Sequence, residues 1–82
     1  TCALPIYMTI SHHLGQVIRD LRIASGLSQV EFAERSGLYQ TYLSRVENGR
    51  ANPTLNAMQV IAQTLGISIF DLFEKVRLRS KD

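Results

Sequence analysis

Cysteine is nearly absent from this sequence: Cys2 is the only one in 82 residues. A single thiol excludes an intrachain disulfide framework and a cysteine-ligated zinc site, and it fits a reducing cytosol. Tryptophan is missing and proline occurs twice. No apolar run approaches the roughly 20 residues that a membrane-spanning helix requires. The opening TCALPIYMTI has neither the basic n-region nor the long apolar segment of a secretory signal. Charge of one sign is scarce too: nine basic and seven acidic side chains leave a net +2. Such a balance permits a nucleic-acid partner without arguing for one. His12 and His13 are adjacent, so on a helix they point apart and make a poor metal pair. No carboxylate partners them at useful spacing, and no glycine loop is built to cradle a phosphate. The sequence therefore predicts no metal, no cofactor and no enzyme.

What the chain does have is helical period. Its 45% hydrophobic content suffices for one small core, and its length allows one domain. Leu14, Val17, Ile18 and Leu21 fall at i, i+3, i+4 and i+7, which predicts a one-sided helix over 11–25, stopped by Gly26. Ser28 and Glu31 have the spacing of a capping box at the start of a second helix. A third helix runs from Gln40 to about Asn48 and is ended by Asn48-Gly49. Thr54 caps a fourth, whose stripe of Leu55, Met58, Ile61, Ala62 and Leu65 reaches Gly66, with Met58 as core filling. Ser68, with Asp71 three residues on, opens a short fifth helix that is heavily apolar. The expected fold is all-α, a compact domain of five helices over 11–76. Residues 1–10 are expected to be a leader outside it, with Met8 a possible natural start. Residues 77–82 are expected to be a frayed basic tail, continuing the run of Lys75, Arg77, Arg79 and Lys81.

The second and third helices carry the functional signal. Gly37 supplies the left-handed residue that a sharp turn between them needs. Ala33, one turn earlier, offers a small side chain where the two backbones must approach. Leu38, Leu43 and Val46 fill the angle between the helices. This is the spacing of a helix-turn-helix, whose second helix enters the major groove of DNA. Gln40, Thr41, Ser44 and Arg45 are its outward residues, and Gln and Arg have the donor and acceptor geometry to read adenine and guanine edges.

On Gln29, Phe32, Ala33, Gly37, Leu38, Leu43, Val46, the run Glu47-Asn48-Gly49-Arg50 and Pro53, with Arg22 in the helix before, residues 14–74 resemble the Cro/repressor-type (Xre-like) helix-turn-helix family. The resemblance implies a lambda-repressor-like fold and double-stranded DNA as partner. It implies phosphate contacts from Gln29, Asn48 and Arg50, and a partly buried ion pair between Arg22 and Glu47. The plain alternatives are a solvated Arg22, an exposed Gln29 at a helix start and a free surface charge at Arg50. Asn52 either caps or touches phosphate. Two positions depart from the pattern: Tyr39 stands where an N-cap would be Ser, Thr, Asp or Asn, and Ser36 stands where an apolar residue is common. Tyr39 and Tyr42 either touch DNA or pack on neighbouring loops.

One short terminal helix has difficulty hiding Ile69, Phe70, Leu72, Phe73 and Val76 together, and exposed apolar patches mark interfaces. Ile67, Ile69, Phe70 and Phe73 are therefore the expected interface of a two-fold homodimer; the alternative is that they close the monomer core. The leading functional expectation is a cytoplasmic, sequence-specific regulator of transcription on a roughly palindromic operator. With no room for a ligand-binding domain, control is expected through concentration and cooperative dimer binding. An antitoxin or adaptor, bound chiefly to another protein and touching DNA to regulate itself, is the second expectation.

Overall fold

Each of five helices sends one side chain of zero exposure into a shared centre: Ile18, Phe32, Leu43, Ile61 and Leu72. The helices are α1 (Ile10–Ala24), α2 (Gln29–Ser36), α3 (Gln40–Glu47), α4 (Leu55–Leu65) and α5 (Ile69–Ser80). They come from a computed structural model that describes residues 9–80. Cys2, the possible start at Met8 and Lys81 lie outside the described residues. Among those described there is no strand, and no helix is long and apolar enough to cross a membrane. Leu14, Val17, Val46, Ala62 and Val76 complete the core. Full burial of a Leu, Ile or Phe side chain is worth about 1.5–3 kcal/mol, so this layer is what holds five short helices together. α1 packs against α5 and α3, while α2 packs against α3 and α4.

Helix ends sit where capping chemistry puts them. The Thr9 hydroxyl accepts from the His12 amide at 3.2 Å, and the Thr54 hydroxyl from the Ala57 amide at 3.1 Å. Ser68 does the same for Asp71 at 3.0 Å. Thr9 and Ile10 thus belong to the fold, inside the stretch expected to be leader. At the other end α5 runs on to Ser80, where a frayed tail was expected from residue 77. Val76 is buried under that turn, and the Arg77 guanidinium donates to the Glu74 carboxylate across it, Nε to Oε1 at 3.1 Å. These contacts give the last turns a reason to stay helical.

Candidate nucleic-acid interface

α2 begins with both halves of a capping box. The Ser28 hydroxyl accepts from the Glu31 amide at 3.1 Å, and the Glu31 carboxylate accepts from the Ser28 amide at 2.9 Å. The Ser28 backbone amide, and after it the Ser28 hydroxyl, hold the Glu31 carboxyl below the usual glutamate range. The helix closes at Gly37, whose φ of +77° only glycine adopts without strain. Around it the Leu38 amide reaches back to the Ala33 carbonyl at 3.2 Å, reversing the chain within one residue. Ser36, where an apolar residue is common, takes a local role: its hydroxyl donates to Ala33 O at 3.2 Å.

α3 is then fixed from its inner side. Leu43, Val46 and Glu47 are buried, and Leu38 and Tyr42 pack against the core beside them. Arg22, projecting from α1, grips Glu47 with two prongs, Nε to Oε2 at 2.7 Å and Nη2 to Oε1 at 3.0 Å. Its third nitrogen donates to the Leu27 carbonyl at 2.8 Å. Gln29 adds a further bond, Nε2 to Glu47 Oε1 at 3.0 Å. One carboxylate at the end of α3 is thereby tied to α1, to the α1–α2 turn and to the first turn of α2. Every strong hydrogen-bonding group of this buried cluster has a partner, which is what a buried charge pair requires.

The outer side of α3 is free of such duties. Gln40, Thr41 and Arg45 are exposed, and Ser44 is half-buried. Asn48 folds back on the helix, donating to Ser44 O at 2.9 Å. Arg45 leans toward the Arg50 carbonyl, Nη2 to O at 3.5 Å, and Arg50 itself is exposed. Asn52 is tethered to α1 by a bond from the Ser11 hydroxyl at 3.1 Å. The two tyrosines separate: Tyr42 packs inward, whereas Tyr39 is 83% exposed at the N-cap of α3 and makes no capping bond. Gln40, Thr41, Ser44 and Arg45 are thus gathered on one edge, with Asn48 and Arg50 just beyond its end. Gln29 lies apart, with one amide hydrogen turned inward.

The residues of the expected dimer interface divide. Ile67 and Ile69 pack against the core, as do the fully buried Leu72 and Val76. Phe70 is 78% exposed and Phe73 39%. Phe73 also walls an apolar cavity of about 280 Å³, with Ile10, Leu14, Pro53, Met58 and Val76 around it.

Two features escaped the reading of the sequence. Gly15 lies against the last carbonyls of α3, where an added β-carbon would come within 2.3 Å of Val46 O and 2.6 Å of Glu47 O. A glycine inside a helical stripe costs about 1 kcal/mol against alanine, and that cost was the available signal of a close approach. The Gln29–Glu47 bond left no such trace.

A helix-turn-helix is therefore present in spacing, turn conformation and internal bracing. The family profile described as helix-turn-helix matches residues 18–72, and the chain belongs to this family. Its members are regulators of transcription. An uncharacterized HTH-type transcriptional regulator, y4dJ of Sinorhizobium fredii, is 44% identical over 59 residues, covering 72% of this chain and 77% of its own. Control protein C.SmaI of Serratia marcescens is 33% identical over 75 residues, 92% of this chain and 89% of that protein. Among solved structures, the restriction–modification controller protein C.Esp1396I, a tetramer in complex with its natural 35-base-pair operator, superposes with a TM-score of 0.80 at 27% identity, covering 87% of this chain and 93% of that one.

Proposed function

We propose that this chain regulates transcription by binding a roughly palindromic operator as a homodimer, with α3 of each copy in a major groove. The observation that carries the reading is the division of α3 into a braced inner face and an outer edge, with Gln40, Thr41 and Arg45 exposed and Ser44 half-buried beside them. A helix held by its inner face presents base-reading side chains in a fixed orientation, so that recognition loses little freedom on binding. Gln40 and Arg45 suit adenine and guanine edges, with Thr41 and Ser44 beside them. Asn48, Arg50 and the second amide hydrogen of Gln29 suit backbone phosphates, which set register without reading sequence. The operator-bound tetramer of the similar controller protein supports both double-stranded DNA and self-assembly here.

Selection of bound duplexes from a random library, at two salt concentrations, tests this. The expected product is a motif of two inverted half-sites spaced by about one helical turn, ~34 Å. Salt-sensitive binding that enriches no sequence overturns it.

A further inference from the structure

Four of the five helices open on a hydroxyl that accepts a backbone amide of the first turn: Thr9, Ser28, Thr54 and Ser68. Among the described residues α3 is the exception. Its N-cap is Tyr39, extended like Thr9, Ser28 and Thr54, and no side-chain bond closes the helix start. A missing hydroxyl at this position weakens a helix, and one as short as α3 has little length to absorb the loss. Packing does not return it, since the ring is 83% exposed. A single exposed apolar side chain means little by itself. This one fills the uncapped position of the fold and leads directly into Gln40. It is a local rule broken at the proposed reading edge, and such breaks mark function.

The backbone that carries the ring is fixed. The Tyr39 carbonyl accepts the first bond of the helix, from the Leu43 amide at 3.0 Å. Leu38 packs against the core on one side, and Leu43 is fully buried on the other. The ring thus leaves from a set point at the end of α3 whose residues reach base edges in a helix-turn-helix. A phenol ring has no fork of donors and acceptors with which to read those edges. The major groove offers it one apolar mark, the C5-methyl of thymine.

We propose that Tyr39 is a specificity-determining residue, its ring packing on the C5-methyl of a thymine beside the base pair that Gln40 meets. The proposal rests on the operator reading above and adds an apolar contact to it.

This assignment sets stability against recognition. Tyr39→Ser supplies the missing cap, so the variant is expected to unfold at higher urea than the parent. On the selected duplex the same variant is expected to bind about five- to tenfold more weakly, as the ring's buried area is lost. Tyr39→Phe keeps the ring and should bind within about twofold of the parent. Replacing thymine by deoxyuridine, position by position in one half-site, removes a single methyl each time. One such position should cost the parent about fourfold, the worth of a buried methyl, and cost Tyr39→Ser nothing. Fluorescence anisotropy reads all three proteins.

A lower urea midpoint for Tyr39→Ser assigns the ring to the fold and overturns the proposal. Equal losses in Tyr39→Phe and Tyr39→Ser transfer the contact to the hydroxyl and overturn it too. So does a half-site in which no methyl matters to the parent and not to Tyr39→Ser. Each of these leaves the operator standing. A parent chain that selects no preferred duplex overturns the operator reading and this proposal with it.

Discussion

Gly15 of α1 lies so close to Val46 of α3 that its missing β-carbon would sit 2.3 Å from the Val46 carbonyl oxygen. Replacing a helical glycine by alanine normally stabilises by about 1 kcal/mol. Here the atoms in the way are backbone, which cannot swing aside, so the clash wins. Gly15→Ala is expected to lose about 1–3 kcal/mol, the usual cost of overpacking, in urea unfolding. A gain in stability would show that α1 and α3 are not pressed together as described.

Breaking the Arg22–Glu47 pair leaves one buried charge without its counterpart. Glu47→Ala is expected to cost about 3–5 kcal/mol in the same measurement. Arg22→Met combined with Glu47→Leu should recover most of that, since an apolar pair of similar volume avoids desolvation. The double variant should nevertheless bind its operator more weakly, because the two-pronged geometry that orients α3 is gone. Full-strength binding by the double variant would refute an orienting role.

The capping box makes a statement about acid. Ser28→Ala should cost about 1 kcal/mol. Because the folded-state carboxyl of Glu31 titrates below its usual range, the unfolded chain binds the proton more readily. The box therefore stabilises fully above the ordinary glutamate pKa and loses its effect as pH falls through the depressed one. A carbon-detected NMR titration should find the Glu31 midpoint low in the parent and only partly restored in Ser28→Ala, which removes the hydroxyl but keeps the backbone amide that is the larger cause. Equal midpoints would show that the hydroxyl takes no part in the shift and leave it to the backbone amide.

Arg45 and Arg50, close in space, should differ in kind. Arg45→Ala is expected to lose about 1–3 kcal/mol on the preferred duplex and to relax choice at one base pair. Arg50→Ala should weaken all duplexes alike and lower the slope of affinity against salt by about one. Fluorescence anisotropy on the selected duplex and a scrambled one, across salt, compares them. A uniform loss for Arg45→Ala would reassign it to a phosphate.

The fold was readable because its punctuation is local. Ser28 with Glu31, Thr54, Ser68 and the glycines at 37 and 66 are each signals within a few residues, and the helix bounds follow them. The outer positions of α3 were likewise readable from period. Contacts between distant segments were less so. Nothing near Gln29 announces that its amide will meet Glu47, and Gly15 speaks only through the oddity of a glycine in a helix. Tyr39 and Tyr42 looked interchangeable in sequence; Tyr39 is the extended N-cap ahead of α3 and stays exposed, whereas Tyr42 lies within the helix and packs against the core. The tail was misjudged because a basic sequence hides the value of one buried Val76 and one Glu74–Arg77 bridge.

The separation of α3 into an anchored side and a free side has a consequence for descent. Substitutions at Gln40, Thr41 or Arg45 alter what is read without touching what holds the helix, so operator preference can drift at almost no cost in stability. Two lineages can keep the same frame and cease to recognise each other's sites within a few mutations. A designer can exploit the same independence by varying those positions while leaving Arg22, Gln29, Leu43, Val46 and Glu47 alone.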